Sequence, residues 1–231
     1  MVEKQFVEQK NAEPKKVILP FEVQKEFYVE NLGAIEAKPM YSFFKRVFDI
    51  FCSVIFLLLF LLPMAFIALL ICCSTKGHAL YRQERLGLNG KKFNVIKFRT
   101  MYTDAEKNGA QWSAGDADVR ITRVGRFLRK TRLDELPQLW CILKGEMSLV
   151  GPRPEREIFY NEFEKYIHGF RERLKVKPGL TGLAQVNGGY HLKPEEKIVY
   201  DVEYIKKRSI GLDIKIMFAT VRVVVHREGA K

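Results

Sequence analysis

Along residues 1–44, apolar and charged positions mix without a helical or strand period, and Pro14, Pro20 and Pro39 interrupt them. The pattern predicts a poorly structured extension with a short extended piece at 16–21. It then changes abruptly. Residues 50–73 form a run of 24 positions without a charge. About 20 apolar residues cover the hydrocarbon thickness of a bilayer, so this run is a membrane-segment candidate. It starts far into the chain and lacks a small-residue cleavage pattern, so a secretory signal fits poorly. Pro63 removes a backbone donor in mid-run and predicts a kink or break at Leu62 and Pro63. Lys45 and Arg46 precede the run, and Lys76, Arg82, Arg85, Lys91 and Lys92 follow it. Two topologies fit: an ordinary kinked span, or a helix that enters, breaks and returns to the same side.

Beyond the run the chain reads as α/β, mainly helical with one small hairpin. Residues 81–86 and 92–98 flank Leu88-Asn89-Gly90, and Asn-Gly between two such runs is a hairpin signal. A short helix is expected to start at Asp104, followed by a polar loop over 108–118. Helical content recurs at 120–130, 134–144 and 155–176. Two amphipathic helices, 195–207 and 212–225, close the chain.

Charge changes the picture next. Lys and Arg number 39 against 27 Asp and Glu, a formal net charge of +12. Residues 1–44 carry −1, so residues 45–231 carry +13. Such a body favours a polyanionic partner: nucleic acid, an anionic membrane face or a phosphorylated small molecule. The cysteines are Cys52, Cys72, Cys73 and Cys141. They form no Cys-x-x-Cys pair, which argues against a zinc site and for a reducing compartment.

Six basic residues lie between Arg120 and Arg132, immediately before Leu133-Asp134-Glu135-Leu136-Pro137-Gln138. Pro137 suits the first turn of a helix, which places Asp134 and Glu135 at a helix start. Two carboxylates among arginines there can hold a divalent cation or meet a phosphate. Thr131-x-x-Asp134 also matches a plain capping box, and the arginine run also describes a nucleic-acid surface. In Gly151-Pro152-Arg153-Pro154, two prolines fix the backbone around one guanidinium, an arrangement suited to bidentate phosphate binding. Lys177-Pro178-Gly179-Leu180-Thr181-Gly182 is a second constrained loop, whose small residues permit close ligand approach. Lys97 and Arg99, at the end of the second hairpin strand, fit further phosphate contacts and equally fit ordinary exposed strand ends.

Taken together, Arg82-Gln83-Glu84-Arg85-Leu86-Gly87, Lys97-Phe98-Arg99-Thr100-Met101, the Asp134-Glu135 segment, residues 144–154 and Lys177 to Gly182 resemble, in order, the bacterial sugar transferases. These are the monotopic polyprenyl-phosphate phosphoglycosyl transferases, and the resemblance runs from about 45 to 229. It implies transfer of a sugar-1-phosphate from a UDP-sugar to undecaprenyl phosphate with release of UMP. It implies Asp134 as the nucleophile that forms a covalent phosphosugar, with Glu135 assisting as metal partner or proton acceptor. Mg²⁺ is the implied cofactor, at Asp134 and Glu135. Arg153 and Arg129 are implied near the phosphates, with Lys97, Arg99 and Gln138 as further substrate-phosphate candidates. It also implies a monotopic protein at the cytoplasmic face of the bacterial inner membrane. The organisation is then an extension (1–44), a Pro-broken re-entrant helix (45–76), and a cytosolic catalytic domain with C-terminal interfacial helices (77–231). The implied partners are the UDP-sugar, undecaprenyl phosphate, anionic lipid and, as a candidate, a second copy of the chain. Nucleic acid is not among them; a membrane-tethered nucleic-acid-binding protein is the competing reading of the same basic residues. The residues do not distinguish a hexose from an N-acetylhexosamine.

Overall fold

The computed structural model describes residues 26–107, 118–189 and 192–226. The extended piece predicted at 16–21 and most of the 108–118 loop fall outside them. The long apolar run folds as two helices, α1 (Pro39–Leu59) and α2 (Leu61–Ser74). They meet at Phe60 with a bend of 61°. No single helix among the described residues is long and apolar enough to cross a membrane, whereas the bent pair together meets that test. The break therefore lies upstream of the predicted Leu62 and Pro63. The reason is steric. A proline ring clashes with the carbonyl four residues earlier and cannot bond to it, so Pro63 disrupts the chain at Leu59 and is itself tolerated in the first turn of α2. The helix also begins at Pro39, where a proline at the first position costs nothing.

The hairpin forms as predicted, with β2 (Leu80–Leu86) antiparallel to β3 (Lys92–Phe98) and Leu86 opposite Lys92. Asn89 and Gly90 take φ of 54° and 76°, the left-handed conformation that Asn-Gly supplies at a hairpin turn. Asp104 to Lys107 makes hydrogen-bonded turns and no helix. Next come α3 (Arg123–Lys130), a 3₁₀ turn (Leu133–Gln138) and α4 (Leu139–Lys144). The helix expected over 155–176 is interrupted: α5 (Glu157–Phe163) ends, and Gly169 at φ 95° separates Ile167–His168 from a 3₁₀ turn (Phe170–Lys175).

Two short parallel pairs, not expected from sequence, join distant segments. Phe27–Tyr28 (β1) pairs with Ile167–His168 (β5), and Ser148–Val150 (β4) pairs with Gly179–Thr181 (β6). The first corrects the picture of residues 1–44 as an extension. From Phe27 onward that segment docks on the body: Leu32 N donates to Glu172 (2.9 Å), and Lys175 donates to Gly33 O (2.7 Å). Phe27, Val29 and Leu32 pack on a core of Phe159, Tyr160, Phe163, Ile167 and Phe170. A second core gathers Leu139, Ile142, Met147, Leu149, Tyr204 and Ile205. A third joins α2 to α3 through Ile67, Ile71 and Leu128. After α6 (Leu183–Val186), the chain ends in α7 (Pro194–Lys207) and α8 (Ile210–His226). The α8 helix exposes Ile214, Phe218, Val221 and Val225, while Ile216 on the same helix is buried in the second core.

Candidate active site

The candidate site residues arrive from three directions. The β3 strand brings Lys97, and the 3₁₀ turn that packs against β3 brings Asp134 and Glu135. The loop after β4 brings Arg153. Arg132 opens the turn at φ 59°, a left-handed conformation uncommon outside glycine. It ends α3 sharply and aims the dyad back toward β3. Thr131 belongs to that helix end, where its hydroxyl donates to Phe127 O (2.9 Å), so the capping-box reading of Thr131 and Asp134 does not hold. Pro137 lies within the 3₁₀ turn, not in the first turn of an α-helix.

Glu135 is held by two cations. Lys97 Nζ donates to Oε1 at 2.7 Å; Arg153 donates from Nη2 to Oε1 at 2.5 Å and from Nη1 to Oε2 at 3.3 Å. Burial alone would raise its pKa, but Arg153 and Lys97 outweigh burial and hold it well below the usual range. Asp134 behaves oppositely. It faces a cavity of about 450 Å³ and has no ion-pair partner within 4 Å among the described residues. Burial, then the charge of Glu135, push its pKa up to about 6, against the lowering pull of Lys97, Arg129 and Arg153. Adjacent carboxylates with opposed shifts indicate divided roles, one locked as an anion and one poised near neutrality.

Cations surround the cavity. Arg129 borders it with its Nε bonded to Thr100 Oγ1 (2.9 Å). The α3 backbone comes this close because Gly125 has no side chain; a Cβ there would lie 2.0 Å from Thr100 O. The far wall holds Arg85, Arg156, Arg173 and Lys197 with Glu155. Arg85 pairs with Glu155 (2.8 Å), Arg156 with Glu106 (3.0 Å), and Arg173 with Asp201 (2.7 Å) while also donating to Arg153 O (2.9 Å). These far-wall residues are absent from the site residues expected from sequence. The signal was present for two of them, since Arg85 and Arg156 lie in or beside the quoted motifs.

Two predicted residues fall elsewhere. Arg99 reaches the cavity wall, but its donors turn to the end of α2, bonding Thr75, Lys76 and Gly77. Gln138 is buried behind the dyad, is not among the cavity-lining residues, and its Nε2 has no hydrogen-bond partner among the described residues. The Lys177 to Gly182 loop also differs from expectation. Its glycines approach the Arg153 loop, not a ligand: a Cβ on Gly179 would sit 2.1 Å from Gly151 N, and one on Gly182 2.2 Å from Gly151 O. The three glycines interlock the loops and so fix where Arg153 starts.

The basic run from Arg120 to Arg132 does not form one surface. Arg120, Arg129 and Arg132 border the cavity, whereas Arg123, Arg126 and Lys130 are exposed on α3. That division does not support the nucleic-acid reading.

Residues 40–227 match the family of bacterial sugar transferases. The chain is 42% identical over 203 residues to the UDP-N-acetylgalactosamine-undecaprenyl-phosphate N-acetylgalactosaminephosphotransferase of Aeromonas hydrophila, covering 87% of this chain and 48% of that protein. It is 44% identical over 183 residues to a UDP-glucose:undecaprenyl-phosphate glucose-1-phosphate transferase of Klebsiella pneumoniae, covering 77% and 39%. It is 39% identical over 208 residues to the undecaprenyl-phosphate galactose phosphotransferase of Salmonella typhimurium, covering 84% and 43%. The chain thus spans less than half the length of these relatives, and their names carry three different sugars. The dyad, Lys97, Arg129, Arg153 and the cavity between them all lie inside the matched region, and the chain belongs to the bacterial sugar transferase family.

Proposed function

We propose that the chain transfers a sugar-1-phosphate from a UDP-sugar to undecaprenyl phosphate, with Asp134 as covalent nucleophile. The observation that carries this reading is the asymmetry of the dyad: Glu135 is locked by Lys97 and Arg153, while Asp134 faces the cationic cavity with no ion-pair partner among the described residues. In the first half-reaction an Asp134 carboxylate oxygen attacks the β-phosphorus. The bond from that phosphorus to the bridging oxygen breaks, and UMP leaves with the electron pair. In the second, a lipid phosphate oxygen attacks the same phosphorus, the aspartyl oxygen leaves, and the carboxylate is regenerated. Covalent catalysis by carboxylates is an established strategy in group transfer. Arg153, Lys97 and Arg129 supply fixed positive charge for the phosphoryl oxygens.

The donor set fits Mg²⁺, which Asp134 would hold, because Mg²⁺ commonly uses one or two carboxylates plus substrate phosphates. Glu135 already engages both cations, and no third His, Cys, Asp or Glu completes a protein-only site among the described residues. When bound, the ion supplies charge neutralisation between carboxylate and diphosphate.

The reading places the protein at the cytoplasmic face of the bacterial inner membrane, with α1 and α2 as a re-entrant pair. Phe43, Phe51, Leu58, Leu59, Leu61, Leu62 and Phe66 are exposed on that pair. Both its ends meet the same catalytic body, through Arg46 and Asp49 on α1 and through the end of α2, which supports a return to one side.

The test is UMP release from a panel of UDP-sugars by the membrane-reconstituted chain, with intact mass of the trapped enzyme. The expected result is a sugar-phosphate adduct on wild type and neither adduct nor turnover with Asp134→Asn. Turnover by that variant refutes the assignment.

A further inference from the structure

Two arginines tie the bent helix pair to the elements that carry the dyad. Arg99 leaves the end of β3 two residues after Lys97. Its Nη1 donates to Lys76 O (2.6 Å), and its Nη2 to Thr75 O (3.0 Å), Thr75 Oγ1 (2.9 Å) and Gly77 O (3.3 Å). These acceptors lie at and just past the end of α2, where unpaired carbonyls and the helix dipole favour a cation. Arg99 is buried and has no carboxylate within ion-pair distance among the described residues, so the helix end is its counter-charge. Gly77 makes the contact possible. Its φ is +111°, and a Cβ there would lie 2.3 Å from Arg99 Nη1.

The same device runs in the opposite direction from α1. Arg46 donates to Ile142 O (2.6 Å) and Leu143 O (2.7 Å) at the end of α4, the helix that continues the dyad turn. Gly145 follows at φ +87°, and its Cβ would lie 3.2 Å from Arg46 Nη2. One turn further along α1, Asp49 accepts from Leu149 N (2.9 Å) and Ser148 Oγ (3.2 Å) in β4, the strand leading to Arg153. Lys97, the dyad and Arg153 each stand on a segment fastened to the helix pair.

We propose that Arg99, supported by Gly77, is a positioning residue that fixes the height of Asp134 relative to the membrane segment, and that only the lipid half-reaction depends on it. The inference rests on the transfer reading above. A sugar nucleotide diffuses in water and enters the cavity at any height. A polyprenyl phosphate keeps its phosphate in the headgroup plane, so the site must stand at that plane. A displacement of about 1 Å at a reacting centre is worth on the order of 100-fold in rate.

The experiment separates the half-reactions in the full chain. UMP release is first measured as a burst without acceptor. Transfer is then measured to a long-chain polyprenyl phosphate in nanodiscs and to a short-chain, water-soluble prenyl phosphate in detergent. Arg99→Gln is expected to keep the burst and the soluble transfer and to lose on the order of 10- to 100-fold on the embedded acceptor. Arg99→Lys restores only part, because an ammonium cannot fork between carbonyls as a guanidinium does. Gly77→Ala displaces the same guanidinium and reproduces the pattern, and the double variant is no worse than either single one. Equal losses on both acceptors, loss of the burst in both Arg99→Gln and Gly77→Ala, or unchanged embedded transfer overturns the proposal. A wild type without a burst refutes the transfer reading itself, so the two failures are distinct.

Discussion

Replacing Asp134 by asparagine should make the protein more stable at neutral pH while abolishing transfer. Burial and Glu135 push the Asp134 pKa from 3.8 up to about 6. The folded state therefore binds this proton more tightly than the unfolded chain does. Between about pH 4 and 6, native protein holds more protons than unfolded protein, so stability falls as pH rises through that window; above it the penalty is complete. Each pKa unit corresponds to about 1.4 kcal/mol, so the ionised carboxylate costs at most about 3 kcal/mol, and cavity water screens part of it. For a chain of this size, 1 kcal/mol moves the midpoint by about 2–4 °C. Asp134→Asn removes the charge and nearly preserves the shape. The assay is thermal unfolding of wild type and variant in nanodiscs from pH 4 to pH 8. The variant should gain several degrees at pH 8, less at pH 5, and almost nothing near pH 4. A gain that is constant with pH, or a less stable variant at pH 8, would refute the electrostatic reasoning.

Other outcomes follow from the same site. The UMP burst should be lost toward acid pH, because the proposed nucleophile, Asp134, must be ionised; a burst undiminished at about pH 4 would contradict this. Glu135→Gln removes the carboxylate that Lys97 and Arg153 share and should lower the unfolding midpoint. Gly151→Ala places a Cβ 2.4 Å from Lys177 O and should separate the interlocked loops, lowering turnover and stability together; an unaffected variant would mean that the loops move freely. In a cysteine-free background, single cysteines at Phe44 and Lys76 should both react with an impermeant maleimide from the cytosolic side only. Labelling from opposite sides would establish a true span.

Local signals were legible where the chain encodes them locally. Asn89-Gly90 fixed the hairpin to within one residue, and the 3.6-residue pattern found α7 and α8. The dyad, Lys97 and Arg153 sit in motifs that the sequence resemblance singles out, Arg129 came from the resemblance alone, and the fold brings them around one cavity. Distant pairings left no such trace. Two-residue and three-residue parallel strands such as Phe27–Tyr28 with Ile167–His168 have no periodicity to read. Arg99 illustrates a further limit. A basic residue at a strand end gives the same sequence signal whether it meets a phosphate or a helix terminus, and only the position of α2 decides. The interlock of Gly151, Gly179 and Gly182 was invisible for a similar reason: small residues announce close approach without naming what approaches.

The position of Pro63 bears on helical phase. Because the chain restarts at Leu61, the proline sets the rotational starting point of α2, and each residue beyond it advances the face by about 100°. Met64, Ile67, Ala68 and Ile71 meet Val124 and Leu128 of α3 only at the present setting. Exchanging Leu62 and Pro63 would keep the composition, the length and the bend, yet turn that stripe by about a quarter of a circle away from α3. The proline thus works as an index mark, and α2 docks on α3 by being started at the right angle.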